Sequence, residues 1–244
     1  FVVYLAGAFL LPVLVGLFQS KTGFLTNFNE YGANLGVNDA AGALTASAAE
    51  LGFVSTGFDT EATLKSVSVF WYIFGFLYSS NYFAGELRLR KRTHLISIPG
   101  AVLVAVLFIA LLFPAYMSLT GYDFNGALGF ADPAAYGFAA GAPAYPELMA
   151  IASGSWVFGA IIIIGFTVGL LIWLPQTMLL ISRSMFAWSF DRIMPARLSY
   201  VDRRTHSPVI AIGIVTVLAI ASTAIYAFTD WFSTLAVLLG LSLT

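Results

Sequence analysis

The stretch from Phe70 to Glu86 combines an apolar, helix-like composition with residues that weaken a helix near its middle. Gly75 costs about 1 kcal/mol relative to alanine inside a helix, and the side chains of Ser79, Ser80 and Asn81 compete for backbone hydrogen bonds. A break there would free backbone carbonyls to receive an ammonium group or a small cation, provided that protein or a wet cavity covers it. The small residues also suit close packing of a neighbouring helix, and both interpretations stay open on these residues alone.

A second group of polar residues lies in a later apolar segment, on both sides of Pro175. Trp173, Gln176 and Thr177 have the spacing i, i+3 and i+4, which places them on one face of a helix. A glutamine at membrane depth requires a partner, because an unpaired amide in an apolar medium costs several kcal/mol. These residues line a cavity or form a hydrogen bond between helices, and the pattern does not separate the two.

Other residues give no indication of catalysis or of a metal site. The chain has no cysteine, and both histidines, His94 and His206, fall in basic connections without a second ligand at metal spacing. No paired carboxylates, phosphate-binding glycine loop or serine with a buried base is found within the apolar segments. We therefore predict that the protein is not an enzyme, with no catalytic residues, metal or cofactor.

The composition requires a bilayer around most of these residues. Hydrophobic residues make up 59% of the 244 positions and charged residues only 9%, and the mean hydropathy is +0.89. A typical globular domain has about a quarter charged residues. The net charge of −1 removes the electrostatic basis for binding nucleic acid. The composition thus predicts an all-α polytopic membrane protein whose partners include the lipid bilayer.

Stretches without charge predict where the chain crosses this bilayer. About 20 apolar residues are needed to span roughly 30 Å of hydrocarbon. The last predicted span is shorter than this, and the chain begins and ends inside apolar runs. We therefore expect residues 1–244 to form a single transmembrane helical bundle that is an internal part of a longer protein. The predicted spans are approximately 1–20, 66–85, 96–119, 150–182, 208–229 and 231–244 (truncated).

The charges of the connections predict the orientation of these spans. Nine of the eleven bases lie in the connections after the second and fourth spans, whereas the opposite connections contain Lys21, Lys65 and nine acids. The positive-inside rule assigns the basic connections to the cytoplasm. The outer connections are long and rich in small residues, notably Asn27–Thr63 and Gly121–Glu147, and they form either lids or solvated caps. Residues 40–51 are compatible with a short surface helix.

Two regions resemble a known family of membrane proteins. Residues 182–195 follow the pattern S-R-x-x-F-A-x-S-x-D-x-x-x-P, and V-D-R-R-T-H-S-P-V follows at 201–209. This pair resembles the cytoplasmic connection between helices 8 and 9 of amino acid permeases in the amino acid-polyamine-organocation superfamily. Upstream, W-x-x-x-G-F at 71–76, A-G-E at 84–86 and Ile98-Pro99 resemble helix 6 of that family and its entry to helix 7.

The resemblance implies a fold and a substrate site. The chain would cover helices 5 to 10 of a five-plus-five inverted-repeat transporter fold, namely the end of the first repeat and most of the second, with a discontinuous helix at 66–85. Backbone carbonyls near Trp71, Ile73 and Phe74 would accept the substrate ammonium, and the Trp71 ring would form part of an outer gate. Helix 1, which holds the substrate carboxylate in the family, has no counterpart in these residues, and Leu77 replaces an acidic residue found in many members. The predicted substrate-binding residues are Trp71, Ile73, Phe74, Gly75, Phe76, Tyr78, Trp173, Gln176 and Thr177.

The implied function is secondary active transport of amino acids or related amines by alternating access. A proton, a sodium ion or a counter-substrate would supply the driving force, and the location would be the cytoplasmic (plasma) membrane, crossed several times. An alternative is a membrane amino-acid sensor or receptor that uses the same site without transport. A channel is disfavoured because no ring-forming charges occur in the spans.

Overall fold

The structure is a computed structural model that describes residues 2–55, 60, 64, 91–139, 141–205 and 207–229. The predicted spans at 66–85 and 231–244 lie outside the described residues, as do the site residues predicted between Trp71 and Tyr78 and also His206. The chain divides into two compact units. The first contains Phe1–Gly57 and Val102–Leu171, and the second contains Phe58–Ala101 and Ile172–Thr244.

Every regular element in the described ranges is a helix, which confirms the all-helical prediction for these residues. Short 3₁₀ helices occupy Pro133–Tyr136 and Ala196–Ser199. The longer helices are α1 (Val2–Phe18, with a π-helical segment at Ala6–Leu10), α2 (Lys21–Asn34), α3 (Ala40–Glu50), α4 (Lys91–Thr120), α5 (Tyr122–Phe130), α6 (Tyr145–Ala152), α7 (Trp156–Phe190) and α8 (Val209–Phe228).

Two of the described helices are long and apolar enough to cross a membrane, namely α7 and the Val102–Thr120 part of α4. α1 and α2 meet the same criterion only as a pair, and they are bent by 114° at the break between them. The apolar part of α8, Val209–Ile225, is a shorter helix. The described structure is therefore that of an all-helical protein with two candidate membrane spans, and up to three if the bent pair is one span.

Glycines bring α1 and α7 into backbone contact in the first unit. A Cβ atom built on Gly165 would lie 2.5 Å from the Cα of Gly7, and one built on Gly7 would lie 2.1 Å from the carbonyl oxygen of Ile161. A Cβ on Gly169 would lie 2.5 Å from the ring of Tyr4. Gly165 and Gly169 are the small-xxx-small pair of the apolar segment, and such pairs let membrane helices approach closely. Gly165 and Gly169 thus pack α7 closely against α1.

The connections predicted to be lids or solvated caps fold into a helical cap with its own core. Residues 21–34, 40–50, 122–130 and 145–152 are helical, and they bury apolar side chains against one another. The ring of Phe124 makes edge contacts with Phe24 and Phe28 at centroid distances of 5.2 Å each. These connections are therefore packed rather than merely solvated, because the short helices place apolar residues at i and i+4 on their inner faces. Fully buried examples are Phe24, Phe28, Leu44, Leu119, Tyr136, Leu148 and Met149.

Polar side chains link the helices of the cap. The Asn29 carboxamide oxygen accepts from the backbone N–H of Ala41 at 2.8 Å, and the Ser47 hydroxyl accepts from that of Asp132 at 3.0 Å. The Asn125 amide of α5 donates to the hydroxyl of Thr120, the last residue of α4, at 2.6 Å. Buried polar groups cost free energy unless they are hydrogen-bonded, so these contacts stabilise one arrangement of the cap.

The fourth predicted span, 150–182, has different boundaries in the structure. α6 ends at Ala152 and α7 begins at Trp156, with Gly154 in the left-handed region at φ +61. The side chains of Gln19 and Asn27 both donate to the Ala152 carbonyl, at 3.0 and 3.2 Å, and so satisfy the end of α6. At its other end α7 continues through Pro175 and past the first charge, Arg183, to Phe190, because water can solvate a helix that has left the lipid.

The tyrosine at the centre of the cap makes alkaline stability a test of this core. Tyr136 is 0% exposed, and its hydroxyl has no hydrogen-bond partner among the described residues. Burial, and secondarily the charge of Asp132, raises the pKa of Tyr136 to about 12. The folded state thus holds this proton more tightly than the unfolded chain, so the stabilisation is complete below pH 10 and is lost as the pH rises through about 12.

We expect Tyr136→Phe to reduce the loss of stability between pH 8 and pH 11, while leaving stability near neutral pH unchanged or slightly higher. Phenylalanine fills the same space and removes a buried hydroxyl. Thermal unfolding of the purified protein at both pH values would measure this effect. Tyr122→Phe is the control, because Tyr122 is 74% exposed. An alkaline loss in Tyr136→Phe as large as in the unmodified protein would contradict the prediction.

Candidate functional site

The described part of the predicted substrate site lies on α7. Trp173 is at the midpoint of this 35-residue helix, which would be about 52 Å long at 1.5 Å per residue. Trp173 is 49% exposed, Gln176 is exposed and Thr177 is half-buried. The Thr177 hydroxyl donates to the Trp173 carbonyl at 3.3 Å. The structure therefore brings an aromatic ring, an amide and a hydroxyl together on one face of a membrane-length helix.

Pro175 changes the backbone beside this face. A proline inside a helix has no N–H to donate to the carbonyl four residues earlier, which here belongs to Leu171. In the same turn, the Thr177 hydroxyl donates a hydrogen bond to the Trp173 carbonyl. Local polarity at Leu171–Thr177 thus comes from backbone and side chains, in a helix whose other polar side chain between Trp156 and Ile181 is Thr167.

The remaining predicted site residues are Trp71, Ile73, Phe74, Gly75, Phe76 and Tyr78, all outside the described ranges. Their grouping with Trp173, Gln176 and Thr177 stays a prediction.

The spacing of the motif at 201–209 has a structural explanation in its described residues. The Asp202 carboxylate accepts from the backbone N–H groups of Arg204 at 3.1 Å and Thr205 at 2.9 Å, and from the Thr205 hydroxyl at 3.0 Å. These hydrogen bonds, led by those from Thr205, hold the pKa of Asp202 below its usual value. The Asp202 N–H donates to the carbonyl of Ser207 at 3.0 Å, just before Pro208 caps α8. This pattern builds the turn before a helix and places no side chain in a site.

The first unit contains a groove that the sequence analysis did not predict. Its volume is about 800 Å³, within the range of ligand-binding clefts. One wall is the second half of α2, another is the segment 138–144, and α6 and the start of α7 complete it. The residues that could contact a solute through polar or aromatic groups are Asn27, Glu30, Tyr31, Asn34, Phe138, Glu147 and Trp156. The only signal in the sequence is the excess of acids in the outer connections, because these residues come from separate segments.

No family model, curated protein or solved structure matches the chain. The class of protein is therefore defined by the described helices alone: an all-helical protein with helices long and apolar enough for a membrane.

Proposed function

We propose that the chain is part of a secondary active transporter that moves amino acids or related amines across the cytoplasmic membrane by alternating access. The main observation is the polar face of α7, where Trp173, Gln176 and Thr177 lie together at the middle of a long apolar helix. Polar residues within membrane spans usually mark a path for a substrate or an ion. The resemblance of residues 71–76 and 182–209 to amino acid permeases supports the same function.

In the proposed site the solute is bound without any bond being made or broken. Backbone carbonyls near Trp71, Ile73 and Phe74 would accept hydrogen bonds from the substrate ammonium, as in other broken membrane helices. On α7, the Gln176 amide can donate and accept, and the Trp173 ring can attract a cation through its π face. A proton, a sodium ion or a counter-substrate would drive the accumulation of substrate.

Replacing Gln176 tests this proposal. We expect Gln176→Leu to lower the uptake efficiency (kcat/KM) by roughly tenfold or more, because one lost hydrogen bond to a charged group is worth about 1.5–3 kcal/mol. Uptake of labelled amino acids and amines would be measured with the complete protein in proteoliposomes. Leucine is more apolar than glutamine, so insertion into the membrane should not suffer.

Thr167→Val is the matched control on the same helix. Thr167 donates to the Ile163 carbonyl at 2.8 Å and lies nine positions before Gln176, on the opposite side of α7 at 3.6 residues per turn. Its replacement should leave uptake unchanged. If Gln176→Leu and the unmodified protein took up substrate equally well, the polar face of α7 would not be part of the substrate site. If an amino acid stabilised the protein against heat but was not transported, the protein would be a sensor and not a transporter.

A further inference from the structure

The groove in the first unit has the chemistry of a binding site for a cation. Glu30 on α2 and Glu147 on α6 contribute carboxylates from two different walls. None of the described residues that line the groove is a lysine, an arginine or a histidine. The two carboxylates would therefore repel an anionic ligand, whereas they attract a cation from both walls.

Aromatic rings make an organic cation a better fit than a metal ion. Tyr31, Phe138 and Trp156 line the groove, and Tyr31 and Phe138 stack on one another with centroids 5.6 Å apart. Rings attract ammonium groups through their faces and also cover apolar parts of a ligand. A volume of about 800 Å³ is far more than a single ion occupies. Asn27 and Asn34 supply additional hydrogen-bonding groups at the same surface.

A hydrogen bond and stacked rings hold the walls of the groove. Asn27 donates to the Ala152 carbonyl at 3.2 Å, and its side chain lies 2.9 Å from the position of a Cβ on Gly154, which has φ +61. Behind the wall, Phe28 is fully buried and stacks on Phe138 at 5.7 Å. These contacts join the walls of the groove to the packed core of the first unit.

We propose that this groove binds an organic ammonium group attached to an apolar body, with Glu30 and Glu147 as its counter-charges and Tyr31, Phe138 and Trp156 as its aromatic walls. The residues of this site all belong to the first unit, whereas Trp173, Gln176 and Thr177 belong to the second. The proposal goes beyond transport and does not depend on it. Two sources share the chemistry, namely a dissolved amine and the head group of a zwitterionic lipid.

Calorimetric titration of the complete protein with phenethylammonium tests the proposal. The protein is held in nanodiscs of phosphatidylglycerol, whose head group contains no ammonium. We expect saturable binding that becomes about tenfold weaker in the double variant Glu30→Gln/Glu147→Gln, because two charge contacts are lost at an aromatic site. Both glutamates are exposed, so the glutamines should not affect folding. Neutral 2-phenylethanol should bind much more weakly.

The controls separate this groove from other amine sites. Glu50→Gln changes an exposed carboxylate of the same cap outside the groove and should leave the titration unchanged. Binding should persist in Gln176→Leu, so the inference survives even if the transport site fails. Equal affinity for 2-phenylethanol, or unchanged binding in the double variant, would overturn the proposal.

The lipid of the nanodisc distinguishes the two sources of the ammonium group, a dissolved amine and a lipid head group. In nanodiscs of phosphatidylcholine, weaker binding of phenethylammonium, together with its displacement by free phosphocholine, would assign the groove to a lipid head group. Unchanged binding in phosphatidylcholine would assign it to a dissolved amine.

Discussion

Gly165→Leu should destabilise the protein by about 3 kcal/mol or more, because the side chain has no space between two backbones. A Cβ at this position would lie 2.5 Å from the Cα of Gly7, 2.8 Å from its carbonyl carbon and 2.9 Å from the nitrogen of Ala8. All three are backbone atoms, so no rotation of a side chain can relieve the contact. α1 and α7 would have to separate along their length.

The π-helical segment of α1 increases the sensitivity of this contact. Gly7 belongs to the segment Ala6–Leu10, and both Gly7 and Ala8 are buried. Bulges of this kind are rare and often lie at functional positions. The contact between α1 and α7 therefore depends on a local backbone shape as well as on two glycines. Separation of the helices would also remove the ring of Tyr4 from Gly169.

Gly213→Leu in α8 is the matched control, since no atom of the described residues lies within 4 Å of a Cβ built there. Leucine also has the higher helix propensity, so this variant should be as stable as the unmodified protein or slightly more stable. Reversible unfolding in mixed detergent micelles measures both variants. If Gly165→Leu unfolded at the same detergent ratio as Gly213→Leu, the close approach of α1 and α7 would be wrong.

The helices with long apolar runs could be predicted from the sequence, whereas their ends could not. The hydropathy of residues 156–181 requires a membrane helix, and Gly165 and Gly169 indicate that it packs closely. The start at Trp156 depends on the corner at Gly154, which is stabilised by Gln19 and Asn27 more than 120 positions away in the chain. Contacts over such separations leave no local pattern. The identity of Gly7 as the partner of Gly165 is hidden for the same reason.

The packing of the cap could not be predicted from the sequence either. Its helices are short and only partly apolar, so composition classed them with solvated connections. Their core forms because several weak apolar faces meet, as at Phe28, Phe124 and Tyr136. The groove beside this core follows from the same assembly. On α7, by contrast, helical spacing alone placed Trp173, Gln176 and Thr177 on one face, because all three belong to one helix.

Gly75→Leu should reduce uptake by the complete protein by about a hundredfold or more, since the proposed site needs a break in the helix at this residue. Gly75 lies outside the described residues, and the break is predicted from the sequence around it. Leucine favours a continuous helix by about 1 kcal/mol relative to glycine, and its side chain would occupy the space proposed for the substrate. The carbonyls near Trp71, Ile73 and Phe74 would then be bonded within the helix and unable to receive an ammonium group.

The amount of Gly75→Leu protein inserted in the membrane shows whether a loss of uptake comes from the substrate site or from a failure to insert. Leucine is more favourable than glycine in the middle of a span, so Gly75→Leu should reach the membrane in normal amounts. Gly100→Leu on α4 is the control, because no described residue has an atom within 4 Å of a Cβ built there. Uptake should survive in Gly100→Leu and disappear in Gly75→Leu, with both proteins present at equal levels in proteoliposomes. Transport by Gly75→Leu at the rate of the unmodified protein would mean that the predicted span at 66–85 needs no break at Gly75 to hold a substrate, or holds none.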